Sequence, residues 1–228
     1  MNFVVYKTNT LKAAKNRIEE LLKAVSRSDI DSPHIVIVPD RASLAAERSM
    51  LAAVGGSFNI QVFTFNRYAG LIAPETLKPL SGQMAVLEMM KVIEQNADRL
   101  VCFSGAGNTE GFARKIYDVI SLLKYNRISP EKLLCACDDK ALSLKLKDIA
   151  LVYSAFQASG ENRDLDSADK LETLLNAVGS SEQVKKSVYY IYDFDGLSVQ
   201  EEAIVESLVR YSRGVYAACA AGAGYMYS

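Results

Sequence analysis

The first glycine in this chain is Gly55, and that late start has consequences. Phe3-Val4-Val5-Tyr6 reads as a strand. The helix expected after it repeats Ala14, Ile18, Leu21, Leu22 and Val25 on one stripe. Strand, tight loop and helix make the skeleton of a phosphate-binding site. Here the intervening loop is Lys7-Thr8-Asn9-Thr10-Leu11-Lys12. A phosphate cradle turns successive backbone N–H groups inward, and several of those turns need φ > 0. Each costs a residue bearing Cβ roughly 1–2 kcal/mol. The frame of a nucleotide site is therefore expected without its cradle. Lys12 falls near the place of a phosphate-binding lysine, where the simpler role is a solvated charge at a helix start.

Other scarcities exclude other chemistry. There is one histidine, His34, at the start of an apolar strand, with no partner legible in the sequence. A histidine-dependent triad would rest on it alone. The four cysteines, Cys102, Cys135, Cys137 and Cys219, are scattered. One C-x-C pair falls short of a zinc site, so no metal is expected and the thiols read as reduced and structural, as in the cytosol. No apolar run approaches the ~20 residues of a membrane span. The N-terminus lacks a signal peptide's basic start and long apolar stretch. A formal net charge of −1 gives no global field toward nucleic acid or membranes, so any such contact must be local.

What remains is ample core material: half of the 228 residues are hydrophobic. Five apolar runs read as strands: Phe3–Tyr6, His34–Val38, Ile60–Phe65, Val188–Tyr192 and Val215–Cys219. Most are continuous rather than alternating, as in a parallel sheet buried on both faces. Helices separate the first three, including one from Ser43 to Val54 with Leu44, Met50 and Leu51 apolar, which implies βαβ units. From about Ser81 to Val178 no strand is expected. Four helical stripes occupy that span: Val86, Met89, Met90 and Ile93; Phe112, Ile116, Val119, Ile120 and Leu123; Leu142, Leu146, Ile149, Tyr153 and Phe156; Leu171, Leu174, Leu175 and Val178. Turn-rich breaks fall at Gly105–Asn108, Ser129-Pro130 and Ser159–Asn162. The fold class is thus α/β, a parallel core over residues 1–80 and 185–228 with an all-helical insertion over 81–184. The abrupt finish, a strand at Val215 fading into Ala-Gly-Ala-Gly-Tyr-Met-Tyr-Ser, implies a piece of a longer protein.

Three further segments carry candidate chemistry. Ile35-Val36-Ile37-Val38-Pro39-Asp40-Arg41-Ala42-Ser43 is a buried strand ending in a polar turn, with Asp40 a candidate cap and Glu47 one turn beyond Ser43. It would place Arg41 and Ser43 at the carboxyl edge of the sheet, where open α/β folds bind ligands. Gln61 to Ala69 brings Thr64, Phe65, Asn66 and Arg67 to the end of the next strand. Aromatics beside a cation suit single-stranded nucleic acid; strand alternation would point Phe63 and Phe65 to one face and Thr64 to the other. Tyr190 to Glu202 is an apolar strand ending in Asp193-Phe194-Asp195. Acid at a strand end is how a Walker B site presents a carboxylate to magnesium. Here Phe194 separates the two acids, which on an extended strand would share one face. Ser198 and Glu201 also read as a helix capping box. The clusters Asp138-Asp139 and Asp164-Leu165-Asp166 read as solvated turns.

Taken in order, these segments resemble the first motor domain of a superfamily 1 helicase. More closely, the chain resembles the N-terminal part of the AddB (RexB-like) family, the B subunit of the ATP-dependent helicase–nuclease AddAB. The resemblance rests on Ile37 to Ser43 with Glu47, Val62 to Ala69, Ile116 to Tyr125, Ile128 to Leu133, Lys145 to Ile149 with Tyr153 and Phe156, and Tyr192 to Ser198 with Gln200 and Glu201. It implies a P-loop-NTPase/RecA-like sheet (domain 1A) with a 1B-like insertion, acting in double-strand break repair by homologous recombination. The implied partners are DNA, single-stranded or a duplex end, and the A subunit, which translocates; the setting is cytoplasmic. A role in recognising a regulatory DNA sequence is implied for the helicase-like region. The family's nuclease and iron–sulfur cysteines have no match here. The resemblance makes Lys7, Thr8, Thr10, Lys12, Asp193, Asp195 and Gln200 a degenerate nucleotide site, with Mg·ATP not expected as a cofactor. It makes Arg41, Ser43, Thr64, Phe65, Asn66 and Arg67 candidate DNA contacts. Two other classes fit the residues: a small α/β nucleotide-binding enzyme, and a scaffold whose helices dock a protein.

Overall fold

A computed structural model describes residues 2–29, 31–74, 81–106, 108–135, 139–159 and 166–220. Cys137, Asp138, Asp164, Leu165, parts of the turns at 105–108 and 159–162, and the last eight residues lie outside them.

Five strands form one parallel sheet: β1 (Asn2–Thr8), β2 (His34–Ile37), β3 (Ile60–Phe63), β4 (Val188–Tyr192) and β5 (Gly214–Ala220). Their order is β1-β5-β4-β2-β3. Parallel neighbours cannot be joined by a hairpin, so every connection crosses over a face of the sheet. The helices, in chain order, are α1 (Leu11–Ser28), α2 (Ser43–Val54), α3 (Phe65–Ile72), α4 (Gly82–Gln95), α5 (Glu110–Tyr125), α6 (Pro130–Leu134), α7 (Lys140–Ser159), α8 (Ser167–Val178), α9 (Glu182–Lys186) and α10 (Val199–Tyr211). Between residues 81 and 187 the described residues contain no strand.

The chain divides into two compact units, residues 1–74 with 171–228, and residues 75–170. In the first, one sheet face (Val36, Val38, Val62, Tyr190, Tyr192 and Ala218) packs against Ala14, Ile18 and Leu22 of α1 and Ala46 and Met50 of α2. The other face, including Ile35, Ile37, Tyr189, Ile191, Val215 and Ala217, is buried as well. There α3 sends Tyr68 against Tyr189, edge to face at 5.7 Å, with their hydroxyls hydrogen-bonded. Burial pushes the Tyr68 phenol up to about 12, against the opposing pull of that bond. Continuous apolar strands are therefore read correctly as two-faced. The outermost strands differ: residues 3–8 of β1 are at most half-buried and Gln61 of β3 is exposed.

On α2 the buried line is Ala46 and Met50, while Leu44 and Leu51 are 60% and 62% exposed. Two strand ends also depart from expectation. β3 stops at Phe63, because Thr64 accepts a hydrogen bond from the Arg67 N–H and starts α3 as its N-cap. Asp40 opens a single 3₁₀ turn (Asp40–Ala42) instead of capping α2, whose N-cap is Ala42 without a side-chain bond.

His34 has partners that the sequence hid. Its Nδ1 lies 3.2 Å from the Tyr190 hydroxyl and its Nε2 3.2 Å from the Asp29 carbonyl. Burial depresses its pKa, outweighing Asp29's carbonyl and carboxylate, which pull the other way.

In the second unit α4, α5 and α7 bury Met89, Ile93, Ile116, Ile120, Val152 and Phe156 together. The stripe expected on α7 holds at Tyr153 and Phe156, which are buried, but not at Leu142, which is 46% exposed; Asp148 is buried as well. The Asp148 carboxylate accepts the backbone N–H groups of Val101, Cys102 and Phe103 at 2.7 to 3.1 Å. Asp166 is likewise no solvated turn residue. It is buried, and Lys124 Nζ sits 2.8 Å from it and 2.7 Å from Asp169. Burial alone would raise the Asp166 carboxyl; Lys124 reverses that and holds it below the usual range. Cys102 and Cys135 are exposed free thiols and Cys219 a buried one. No helix among the described residues is long and apolar enough to cross a membrane.

Two outcomes follow for stability. Asp148→Ala leaves three backbone donors without their acceptor and costs about 3 kcal/mol, read as a lower urea midpoint. His34, with a folded pKa below its ordinary 6.5, contributes stability that is complete above 6.5. That contribution is lost as pH falls from 6.5 through the lower folded value. Urea midpoints measured across this window fall for the wild type and flatten in His34→Phe.

Candidate functional site at the carboxyl edge

Because all five strands run one way, their carboxyl ends lie on one edge of the sheet. The chain leaves β2 through α2 toward β3 on one side, and leaves β4 through α10 toward β5 on the other. The edge between β2 and β4 is thus a topological switch point, where open α/β sheets form a crevice. A cavity of about 350 Å³ opens there. Pro39 and Arg41 after β2, Thr64 to Asn66 after β3, and Phe194 to Gly196 after β4 line it, with Glu201 of α10.

The turn after β4 is held in an uncommon shape. β4 ends at Tyr192, and Asp193 has φ +69°, the left-handed region that a residue with Cβ enters at a cost. Asp193 and Asp195 are therefore not on an extended strand, and the expectation that they share a face fails for that reason. Between them Phe194 turns inward and packs on Phe65 at 5.7 Å. Arg41 spans the turn: its Nη2 donates to the Asp193 carbonyl at 2.7 Å and lies 3.1 Å from the Asp195 carboxylate. Ser198 then starts α10 with Glu201 in a complete capping box, as the spacing indicates.

A second exposed cation lies in the first turn of α3. Arg67 Nη1 lies 2.7 Å from Glu47 and 3.0 Å from the Ser43 hydroxyl, and its guanidinium sits over the Phe63 ring at 5.8 Å. Ser43 and Glu47, one helical turn apart on α2, act together on one arginine. The Asn66 side-chain oxygen is shielded from solvent and has no hydrogen-bond partner among the described residues. Thr64 and Phe65 are each 3% exposed. Thr64 serves as the cap and Phe65 as core, so Phe65 does not present a face for base stacking. Arg41 and Arg67 are exposed and Asn66 partly so. The edge can meet an anion through two exposed, planar guanidiniums.

The remaining predicted residues sit apart. Thr8 is the last residue of β1 and Leu11 the first of α1, so the connection is not six residues long but two, Asn9 and Thr10. Thr10 caps α1 by accepting from the Ala13 N–H, and the Thr8 hydroxyl is turned to the Thr10 and Cys219 carbonyls. No residue of this turn has positive φ; among the described non-glycine residues only Arg127 and Asp193 do. Lys7 and Lys12 are exposed, in strand and helix respectively. β5 lies between β1 and β4, so the two halves of the expected nucleotide site end strands that are not neighbours. Gln200 is buried and donates to Glu172 of α8 at 3.0 Å. No group of three His, Cys, Asp or Glu is placed to hold a metal among the described residues.

Fold and edge together define an α/β protein with a parallel five-stranded sheet and a polar crevice at its carboxyl end. The comparison with known families is then specific: residues 12–224 match the family described as ADDB, N-terminal, and the chain belongs to it. It is 30% identical over 208 residues to the B subunit of the ATP-dependent helicase/deoxyribonuclease of Clostridium botulinum (strain Langeland), covering 87% of this chain and 17% of that protein. The proteins of the same description from Clostridium kluyveri and Staphylococcus saprophyticus are 28% identical over 208 residues and 26% over 225. These cover 87% and 94% of this chain, and 17% and 19% of the relatives. The chain thus spans less than a fifth of the length of the curated relatives it matches.

The left-handed Asp193 gives a direct test of the turn. Asp193→Ala is expected to be about 1 kcal/mol less stable than Asp193→Gly, since only glycine enters this region freely. Thermal or urea melts of the two variants, side by side, measure the difference.

Proposed function

We propose that this chain is a helicase-like, DNA-handling domain of a helicase–nuclease that serves double-strand break repair by homologous recombination. In this reading the sheet is P-loop-NTPase/RecA-like, equivalent to domain 1A of a superfamily 1 helicase, and residues 81–184 are its 1B-like insertion. The A subunit is the translocating partner. Single-stranded DNA, or the frayed strand of a duplex end, runs along the carboxyl edge.

The observation that carries the reading is that Arg41 and Asn66 line the crevice, with the exposed Arg67 next to Asn66 in the first turn of α3, in a chain that belongs to this family. Arginine suits this use because its planar fork matches phosphate and is weakly hydrated. The base-stacking part of the sequence-based reading is left to Phe63, half-buried under Arg67, rather than to Phe65. The reading of the nucleotide site as degenerate is supported by the two-residue β1–α1 turn. Two residues without positive φ cannot arrange the several inward N–H groups that a triphosphate requires. The chain then contributes binding, and turnover belongs to its partner.

Filter binding with a single-stranded oligonucleotide tests this at two salt concentrations. Binding should be measurable at about 50 mM salt and much weaker at about 200 mM, as phosphate contacts demand. Arg41→Gln and Arg67→Gln should each weaken it similarly for every sequence tried. Absence of binding at low salt, by the wild type and by Asp195→Asn and Glu47→Gln alike, would remove the DNA-handling role. Calorimetry with Mg·ATP should show no micromolar binding; a clear isotherm would restore the nucleotide site.

A further inference from the structure

Both arginines at the carboxyl edge already hold an anion. Arg41 lies 3.1 Å from the Asp195 carboxylate, and Arg67 lies 2.7 Å from the Glu47 carboxylate. In both pairs the neutral contact is similar too: Arg41 also donates to the Asp193 carbonyl at 2.7 Å, and Arg67 to the Ser43 hydroxyl at 3.0 Å. Each guanidinium is thus met by one carboxylate and one neutral oxygen.

Two physical facts separate these pairs from structural salt bridges. First, they are open to solvent. The Arg41 and Asp195 side chains are 53% and 75% exposed, and those of Arg67 and Glu47 are 54% and 41% exposed. Exposed pairs add little to stability, since water screens them and two long side chains must be ordered to make them. By contrast, Lys124 and Asp166 in the second unit are buried together at 6% and 2%. Second, among the described residues neither carboxylate holds a helix end or a turn. Glu201 of the capping box and Asp148 on its three N–H groups do have such duties. Asp195 and Glu47 are free to let go.

We infer that Asp195 and Glu47 are internal stand-ins for backbone phosphate, holding Arg41 and Arg67 in binding geometry and competing with nucleic acid for them. The inference rests on the DNA-handling reading above and adds the regulation of that site. When a phosphodiester arrives, each arginine exchanges a carboxylate for it, and the released carboxylate takes up a cation from solution. That uptake offsets part of the counterion release that drives binding. The same exchange draws Arg41 away from the Asp193 carbonyl, so occupancy of the edge reaches the left-handed turn after β4. The two acids therefore lower affinity and flatten its salt dependence, and they favour ligands dense enough in phosphate to displace both.

The test uses the whole 228-residue chain and an oligothymidylate probe. Asp195→Asn and Glu47→Gln keep the shape of each side chain and remove its charge. Each should tighten binding about three- to tenfold, as expected for deleting one negative charge some ~5 Å from a phosphate. Each should steepen the slope of log affinity against log salt, by up to about 0.7. Asp31→Asn, at the opposite, amino-terminal edge of the sheet, makes the same change in net charge and should leave affinity unchanged. Melting temperatures confirm that all three variants are folded. If the wild type binds and neither neutral variant gains affinity, or the Asp31 variant gains as much, this inference falls while the DNA-handling reading stands. If neither the wild type nor the neutral variants bind at low salt, both fall. Binding only by the neutral variants supports the competition directly.

Discussion

A single constraint organises the first unit of this protein: strands that all run in one direction must be linked by crossovers, and the crossovers cover both faces of the sheet. From it follow the buried rows on either side of β2, β4 and β5 and the packing of α1 and α2 on one face. The gathering of every strand's carboxyl end on one edge follows as well. The interior strands can be apolar throughout because no face of them meets water. The edge is where polar residues are tolerated, so chemistry is concentrated there.

At that edge the protein uses side chains to shape turns as much as to meet a ligand. Thr64 is a cap, Phe65 and Phe194 form a buried pair, and Glu201 closes the first turn of α10. Arg41 braces the left-handed Asp193 turn from β2 across to β4. A strained residue persists where its surroundings over-determine it, and here the bracing arginine is also exposed to solvent. Shape and recognition thus share one side chain. The β1–α1 turn is the opposite case: with only Asn9 and Thr10 between strand and helix, its polar groups are consumed in capping and in bonds to nearby carbonyls.

The strands and helices are largely legible because periodicity records burial. All five expected strands and the four helices expected in the middle segment are present, alongside the short α6 and α9, and the Ser198–Glu201 capping box can be read from spacing alone. The departures share a cause. β3 reads two residues too long because Phe65 is apolar in either a strand or a buried helix face. Asp166 reads as a solvated acid because Lys124, its partner, is 42 residues away. One of His34's two partners is hidden for the same reason, since Tyr190 lies 156 residues along the chain; the other is the backbone carbonyl of Asp29, which no side-chain pattern marks. The candidate site is half legible. Arg41, Asn66 and Arg67 fall where strand-end logic puts them, whereas their pairing with Asp195 and Glu47 leaves no local signal. Arg41 and Asp195 are both visible as isolated residues; nothing but the β2–β4 pairing joins them.

By itself, then, the sequence determined the class: an α/β chain with a parallel core, a helical middle and a first loop without glycine. Those are properties of burial period and of backbone freedom, which each residue carries locally. Only the tertiary structure decided that this loop is two residues long, that β5 separates β1 from β4, and that each exposed arginine of the edge already holds a carboxylate. Strand order and ion pairing depend on which distant segments meet. That is settled by packing the whole sheet and is written in no single stretch of it.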